Sequence, residues 1–325
     1  MYTSKLDLIE TEKAIKYVKD LFEEKLSKKL NLTRVSAPLF VYASSGLNDD
    51  LNGTERAVHF EFENQKIEIV QSLAKWKRHA LSSYNFDMHT GLYTDMNAIR
   101  QDETLDDIHS MYVDQWDWEY IINEDERNLS TLKKTVKKIY SCLLNVEKLV
   151  NKKYPVFSNK LSKDITFIST DKLLKEFPNL SSKERETAAC KKYGSIFLYK
   201  IGWPLKNKKP HDNRAADYDD WKLNGDIIVY NPMLEQAFEL SSMGIRVDKD
   251  SLMSQIKYKH EEFKLNSPYH QDVLNERLPY AIGGGIGQSR LCMFYLEKKH
   301  IGEVQASVWD KEYIEKLKAE GINLL

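Results

Sequence analysis

The N-terminal part of the chain has a hydrophobic pattern with helical spacing. From residue 8 to residue 30, charged side chains fill most positions, and the apolar ones recur near one face of a 3.6-residue repeat: Leu8, Ile15, Val18, Phe22 and Leu26. This pattern predicts a long amphipathic helix. Residues 131–154 show the same spacing and predict a second one.

Elsewhere the pattern indicates strands. Residues 33–43 alternate in polarity, and Pro38 favours an edge or interface strand there because proline has no amide hydrogen for a ladder. Two strands are predicted around a polar turn at 63–65, and two more around the acidic loop QDETLDD. Further strands are predicted in the segments DITFIST, SIFLYKI and GDIIVYN, and short helices in SLAKWKRHALSSY and after a glycine-rich strand, GGGIG.

The order of these elements favours an antiparallel or mixed sheet, because few of them alternate strand, helix and strand. We therefore expect an α+β fold, with a mainly antiparallel sheet flanked by helices. A chain of 325 residues with 42% apolar residues is long enough to bury a large core. We expect one catalytic domain spanning residues 1–325.

Composition narrows the classes of partner. Lys and Arg number 48 and Asp and Glu 49, so no basic field is available for a nucleic acid, and none is expected as a partner. No apolar run approaches the ~18 residues of a membrane span, so no membrane partner is expected. We expect a cytoplasmic location. Cys142, Cys190 and Cys292 lie far apart, which argues against a disulfide framework or a CxxC zinc site.

The segment VDQWDWE has side chains of two kinds in strict alternation. In a strand, Gln115, Asp117 and Glu119 would point to one face, and Trp116 and Trp118 to the other. The polar face suits the floor of a binding site. A solvent-facing strand with a packed reverse side would show the same alternation.

Two carboxylates stand out from apolar surroundings. Asp226 begins the segment DIIVYN, and Glu239 lies within AFELSSMGI. A lone acid in such surroundings is costly unless it is paired or binds a metal, and two oxygen ligands suit Mg2+ held together with phosphates. The alternative is a structural ion pair between Glu239 and Arg246.

Three polar segments have an ordinary explanation beside a functional one. HDNRAADYDD, which includes Arg214 and Asp219, is a charge run of the kind usually found on a solvated surface. Lys75, Lys77 and Arg78 would form a common basic helix face. Asp49 lies in the Gly- and Asn-rich segment SGLNDDLNG, where turn chemistry accounts for such residues.

The segment GGGIGQSR matches neither common phosphate-binding motif. No Gly-Lys-Ser/Thr follows it, and Gln288 stands where the dinucleotide fingerprint needs glycine. The missing side chains would let an aromatic ring approach the backbone, while Arg290 could stack on that ring or neutralise phosphate. These residues alone leave open whether the segment is a glycine-rich turn or a backbone shaped for a nucleotide.

Taken together, these segments resemble the ammonia-dependent asparagine synthetases, aspartate–ammonia ligases built on the catalytic fold of class II aminoacyl-tRNA synthetases. The resemblance covers nearly the whole chain and rests on DDLNG, SLAKWKR, GLYT, YVDQWDWE, RAADYDDW, LNGDI, FELSSMGIRV and GGGIGQSRL. The first helix and the strand with Pro38 resemble the family's dimer motif, which implies a homodimer. One departure is a short connection at Lys222, where some relatives have a longer loop.

The resemblance implies that ATP and Mg2+ drive asparagine synthesis from aspartate and ammonia through a β-aspartyl-adenylate, releasing AMP and pyrophosphate. It also implies roles for individual residues. Asp49, Arg100 and Gln115 would be catalytic. Arg100 would contact the α-phosphate, and Arg290 would stack on the adenine, for which the glycines of GGGIG would make room. Further ATP contacts would lie at Arg214, Gly285 and Gly287. Asp226 and Glu239 would bind Mg2+. The amino acid and ammonia would lie among Ser72, Lys77, Gln115, Asp117, Asp219, Ser242 and Arg246.

Asp49 is also a candidate for binding ammonium and accepting its proton, because a carboxylate suits both tasks. Three alternatives remain beside this function. An aspartyl- or asparaginyl-tRNA synthetase-like paralogue would share the fold, but we expect no anticodon-binding domain ahead of a helix that starts at residue 8. A glutamine-dependent enzyme would need an N-terminal nucleophile, and residue 2 is Tyr. A non-catalytic paralogue would be expected to lose Arg100, Glu239 or Arg290.

Overall fold

The computed structural model describes residues 2–51, 53 and 55–325. The strands are β1 (Leu32–Arg34), β2 (Phe40–Tyr42), β3 (His59–Phe62), β4 (Gln65–Ile69), β5 (Gly91–Ile99), β6 (Tyr112–Ile121), β7 (Thr166–Ser169), β8 (Ser195–Tyr199), β9 (Asp219–Asn231), β10 (Gln236–Arg246) and β11 (Ala281–Gly287). The helices are α1 (Leu8–Leu30), α2 (Ala74–Ser83), α3 (Leu129–Lys153), α4 (Thr170–Glu176), α5 (Ser182–Tyr193), α6 (Lys249–Lys259), α7 (Pro268–Leu274), α8 (Gln288–Tyr295) and α9 (Lys311–Ala319).

A large mixed sheet organises these elements. Its eight strands lie in the order β1-β5-β6-β11-β10-β9-β8-β7. The two outermost pairs, β1 with β5 and β7 with β8, are parallel, and the pairs between them are antiparallel. The predicted α+β class, with a mainly antiparallel sheet flanked by helices, is confirmed.

Helix α1 begins and ends where local chemistry directs it. The Asp7 side chain accepts a hydrogen bond from the Glu10 amide at the N-terminus, and Asn31 adopts the left-handed conformation that ends the helix. The predicted apolar face is buried, with Val18 and Phe22 fully inaccessible. This face packs with α3 and α8 on the side of the sheet that carries Trp116 and Trp118, and forms the largest core cluster.

The opposite face of the sheet is only partly covered by apolar packing. Helix α2 packs there through Trp76 and Leu81, and α6 and α7 form a separate cluster around Trp221. Between these clusters the sheet presents polar side chains. The functional cavity lies over this part of the sheet.

Two predicted strands have different bounds in the structure. Residues 33–43 form two short strands in different sheets, because β1 joins the large sheet while β2 joins a small sheet in the order β2-β4-β3. Pro38 lies between them, where no ladder needs its amide. Strand β9 starts at Asp219, within a segment expected to be a polar loop, and runs without interruption through Lys222.

Within the described residues, no helix is both long and apolar enough to span a bilayer. The three cysteines are free thiols in buried positions. Burial raises the pKa of Cys142 to about 11, which keeps this thiol protonated and unreactive at neutral pH.

Candidate active site

A cavity of about 400 Å3 opens on the polar face of the large sheet. Every residue proposed for the site except Asp226 lines it, namely Asp49, Ser72, Lys77, Arg100, Gln115, Asp117, Arg214, Asp219, Glu239, Ser242, Arg246, Gly285, Gly287 and Arg290. Residues more than 240 positions apart in the chain therefore meet in one cavity. Asp226 lies directly behind this wall, in an ion pair with Arg214.

The floor of the cavity is built by β6 and β11, whose register places polar side chains opposite glycines. Gln115 lies opposite Gly287, and Asp117 opposite Gly285. A Cβ atom on Gly285 would lie 2.1 Å from Gln115 Oε1 and 2.7 Å from Asp117 Oδ1. At this position glycine makes room for two polar side chains of the protein. The approach of adenine to these glycines stays a prediction.

Side chains of β6 alternate as the sequence predicts, and the solvent-facing alternative is wrong. Asp117 is 3% exposed and Glu119 0%, while Trp116 and Trp118 are fully buried on the reverse side. Lys77 Nζ lies 3.3 Å from Asp117 Oδ2 and donates to the Gly284 carbonyl at 2.9 Å. Burial lowers the pKa of Lys77, and Asp117 opposes that shift. The floor is a buried polar layer.

Arg246 holds two carboxylates of this layer. Its Nε and Nη2 atoms donate to Glu119 at 3.0 and 2.8 Å, and its Nη1 donates to Asp219. The alternative ion pair between Glu239 and Arg246 is wrong, because Glu119 and Asp219 already occupy the guanidinium. Asp219 keeps one side towards the cavity.

Neither the run HDNRAADYDD nor the basic residues of α2 form the solvated surface that was the alternative explanation for them. Asp217 is 0% exposed and His211 4%, although both belong to the run HDNRAADYDD. Lys75, Lys77 and Arg78 are each exposed by 4% or less, so they form no solvated helix face. Partners distant in sequence explain this burial, since Lys75 pairs with Asp217 and Arg78 donates to the Val247 carbonyl at 2.7 Å.

Four cations gather around the Glu239 carboxylate. Burial opposes its ionisation, but Arg290, Arg214, Lys183 and Arg100 together hold the pKa of Glu239 below its usual value. Arg290 donates to the Glu239 carbonyl at 3.2 Å, and its guanidinium lies 5.8 Å from the centre of the Phe238 ring. This part of the cavity has the charge needed to bind a polyphosphate.

Two of these arginines retain donors for a ligand. Arg100 has a weak contact from Nη2 to the Gln71 carbonyl at 3.5 Å, and its buried Nε has no hydrogen-bond partner within the described residues. Arg214 donates to Ser242 Oγ at 3.1 Å and pairs with Asp226, but its buried Nε likewise has no such partner. Unmatched buried donors are costly, so an anionic ligand would stabilise both.

Asp226 and Glu239 lie on neighbouring strands, where Ser242 pairs with Asp226 and Glu239 pairs with Ile228. Burial raises the pKa of Asp226 to about 7, with Arg214 opposing and Glu239 reinforcing the shift. Its Oδ1 atom is buried without a hydrogen-bond partner in the described structure. No cluster of three or more potential metal ligands occurs among the described residues. Carboxylate oxygens are the kind of ligand that Mg2+ takes together with phosphates and water.

Asp49 combines the expected turn with a feature that a turn does not need. Its Oδ1 accepts from the Leu51 amide at 2.9 Å, as turn chemistry predicts. Its Oδ2 is buried without a hydrogen-bond partner in the described part of the chain. Burial raises the pKa of this carboxyl to about 6, and Lys75 opposes the shift. Asp49 can therefore exchange a proton near neutral pH.

Lys183 is a lining residue that the sequence reasoning missed. It extends from the first turn of α5, its side chain is 75% exposed, and its Nζ lies 3.2 Å from Glu186 Oε2. Its only local signal is the helix-capping sequence SSKE, which predicts a helix start and no ligand. Asp114 was missed too; it accepts from the Ser289 amide and hydroxyl and so fixes the start of α8 beside Arg290.

Comparison of the fold with solved structures identifies the structural class. The chain superposes on the asparaginyl-tRNA synthetase from Pyrococcus horikoshii in complex with asparaginyl-adenylate, with a TM-score of 0.69, 15% identity, and coverage of 92% of this chain and 70% of that one. At this identity the likeness shows the fold alone, that of a class II aminoacyl-tRNA synthetase catalytic core.

Sequence comparison identifies the family. The aspartate-ammonia ligase family model matches residues 9–321. The chain is 57% identical to an aspartate–ammonia ligase from Clostridium perfringens (strain 13 / Type A), over 100% of this chain and 97% of that protein. It is also 57% identical to an aspartate–ammonia ligase from Fusobacterium nucleatum subsp. nucleatum, over 100% and 99%. The chain belongs to the aspartate-ammonia ligase family.

Proposed function

We propose that this chain synthesises L-asparagine from L-aspartate and ammonia, cleaving ATP to AMP and pyrophosphate through a β-aspartyl-adenylate. The observation that carries the proposal is one cavity in which a cationic group around Glu239 adjoins the buried polar layer of β6. Family membership over the full chain agrees with it. We further propose a single catalytic domain of residues 1–325 that acts in the cytoplasm as a homodimer.

The chemistry requires activation of aspartate before ammonia can react. A carboxylate oxygen is a poor leaving group, whereas AMP leaves readily once the β-carboxylate has attacked the α-phosphate. Charge develops on the phosphate oxygens in that step, and preorganised cations stabilise it. Arg100, whose Nε has no hydrogen-bond partner among the described residues, would bind the α-phosphate, and Arg290 would bind adenine and the distal phosphates.

Aspartate would bind over the polar floor. Lys77 supplies a cation for one carboxylate, while Asp219 and Gln115 supply acceptors for the α-ammonium group. Asp117 and Arg246 hold these groups in position through their ion pairs with Lys77 and Asp219. Ser72 and Ser242 complete the polar lining, and Gly285 and Gly287 leave space beside Gln115 and Arg290. Fixed geometry of this kind lowers the entropic cost of bringing two reactants together.

Asp226 and Glu239 would hold Mg2+ with the ATP phosphates, because Asp226 Oδ1 has no hydrogen-bond partner among the described residues and Glu239 lines the cavity. The bound ion would offset phosphate charge during adenylation. In the second half of the reaction, Asp49 would bind ammonium through Oδ2 and take its proton, leaving ammonia to attack the activated carbonyl.

The direct assay supplies the purified protein with aspartate, ammonium chloride and MgATP and follows asparagine, AMP and pyrophosphate together. We expect equimolar formation of the three, with asparagine absent when ammonium is omitted. ADP and orthophosphate in place of AMP and pyrophosphate would contradict the adenylate route. Aspartate transfer to tRNA without free asparagine would favour the synthetase-like paralogue.

A further inference from the structure

A buried network of charged side chains lies behind the cavity wall. The Asp217 carboxylate, 0% exposed, accepts through Oδ2 from Lys75 Nζ at 2.8 Å and from His270 Nε2 at 3.0 Å. His270 Nδ1 lies 2.5 Å from Ser267 Oγ. Lys75, Asp217 and His270 do not line the cavity, and no step of the proposed reaction brings them to a substrate. Their burial therefore needs an explanation other than substrate contact.

The network supports the loop that carries Asp49. Gly46 adopts a left-handed conformation with φ +73°, and a Cβ atom on it would lie 2.1 Å from Ser267 Oγ, so this end of the loop rests against the start of α7. Leu47 packs against the core cluster of α6 and α7, which includes Tyr269, the neighbour of His270. On the other side, Asn48 Oδ1 accepts from the Asp49 and Gln71 amides at 2.9 Å. The position of Asp49 thus depends on α7.

The same network sets the charge around Asp49. Lys75 stabilises its carboxylate, whereas Asp217 and Asp50 oppose ionisation, and half-buried Tyr218 lies near both Asp49 and Asp217. Asp50 is itself paired with Lys264 at 2.6 Å. Lys75 and Asp217 therefore act on the Asp49 carboxylate with opposite charges, from the side away from the cavity.

Residues that would bind aspartate have anchors of their own. Lys77 is held by Asp117 and the Gly284 carbonyl, and Asp219 by Arg246. Loss of the Lys75–Asp217–His270 contacts leaves those anchors in place. On its α7 side, the loop that carries Asp49 rests on Ser267, which contacts His270, beside the ion pair between Asp50 and Lys264.

We propose that Lys75, Asp217 and His270 form a positioning network for Asp49, so that the use of ammonium, and not the adenylation of aspartate, depends on these three residues. The inference rests on the proposed function and adds to it residues that touch no substrate. His270 acts through Asp217 and through Ser267, and Lys75 acts through its charge.

The test separates the two half-reactions in four variants. Lys75→Met and His270→Leu remove network contacts, while His270→Gln keeps a neutral amide donor near the Nε2 position. Lys160→Met is the matched control, because Lys160 is a buried lysine in an ion pair with Glu297 and lines no part of the cavity. Each variant is assayed for aspartate-dependent exchange of pyrophosphate into ATP, and for kcat and KM of asparagine formation with ammonium.

We expect Lys75→Met and His270→Leu to lower kcat/KM for ammonium by about tenfold or more, because displacing a reacting group by a fraction of an ångström has an effect of this size. Pyrophosphate exchange should change by less than about threefold. His270→Gln should restore most of the loss, and Lys160→Met should not separate the two assays. A parallel fall of exchange and synthesis in the network variants, or no fall in either, would overturn the inference. Absence of ammonium-dependent asparagine formation by the unaltered protein would instead contradict the proposed function.

Discussion

The charged side chains in and beneath the cavity form two chemically distinct groups. Arg100, Arg214, Arg290 and Lys183 surround Glu239, and their charge matches a polyphosphate. The other group is the buried layer of Lys77, Asp117, Glu119, Asp219 and Arg246, in which each charge already has a partner. Asp49 belongs to neither group. Its carboxylate oxygen without a partner is therefore the candidate for the third substrate, ammonia.

Asp49→Asn should separate activation from amination. The amide keeps the size and the acceptor for the Leu51 amide, but it neither attracts ammonium nor accepts a proton. Pyrophosphate exchange should persist while asparagine formation falls by a larger factor. Hydroxylamine, largely neutral near pH 7, should be affected less than ammonium. Equal loss of exchange and synthesis would assign Asp49 to substrate binding or loop structure.

The same substitution should stabilise the protein at neutral pH. The pKa of this carboxyl is about 6 in the folded state, against an ordinary value of 3.8, so the folded protein binds more protons between these pH values. Its ionisation therefore lowers the free energy of unfolding as pH rises through that window. Asp49→Asn removes this dependence. We expect the variant to gain on the order of 1–3 kcal/mol relative to the parent between pH 4 and pH 7, measured by denaturant unfolding. A constant difference across that range would contradict the raised pKa.

Lys183 should serve the distal phosphates of ATP. Lys183→Ala is expected to raise KM for ATP several-fold, because an exposed cation contributes about 1 kcal/mol to a phosphate contact, with less effect on KM for aspartate. Lys191→Ala is the control, since this lysine is exposed on the same helix and does not line the cavity. An equal change in the two variants, or a change confined to aspartate, would remove Lys183 from the ATP site.

At the scale of elements, β11 shows why a glycine-rich strand is needed. Its two faces have different neighbours: Gly285 faces the cavity floor, whereas a Cβ atom on Gly284 would lie 2.6 Å from Met243 Cβ in the core. Gly285→Ala should displace Gln115 and raise KM for aspartate by about tenfold, a cost of roughly 1.4 kcal/mol. Gly284→Ala should mainly lower the melting temperature. Interchanged effects would contradict the assignment of the two faces.

Patterns along single elements predicted much of this fold. The bounds of α1 follow from its apolar period and its caps, and the turn between β3 and β4 follows from polar residues 63–65. The start of β9 was not predicted, because Asp219 has the polar character of a loop and only the distant Arg246 makes its burial acceptable. Burial of Lys75 escaped prediction for the same reason. Its partner Asp217 and the histidine on the same carboxylate, His270, come from elsewhere in the chain, and polarity alone gives no signal of a buried ion pair.

For the whole molecule, the exposed apolar surface favours a homodimer. Phe40, Tyr42, Phe60 and Phe62 on the small sheet are each more than 40% exposed, and they lie outside the cavity. Adjacent exposed aromatic side chains of this kind mark an interface. Sedimentation at micromolar concentration should give twice the 38.0 kDa chain mass. Phe40→Asp should dissociate the dimer, whereas Phe263→Asp, at a more exposed phenylalanine elsewhere, should not. A monomeric parent would contradict the prediction.

Activation of aspartate as a β-aspartyl-adenylate transfers one oxygen of the β-carboxylate to AMP, and the fate of that oxygen can be measured. Aspartate labelled with oxygen-18 in the β-carboxylate is converted in the presence of ammonium and MgATP, and the phosphate products are analysed by mass spectrometry. We expect one labelled oxygen in the phosphate of each AMP formed, and equal amounts of labelled AMP and asparagine. Label in orthophosphate, or asparagine formation with unlabelled AMP, would contradict it.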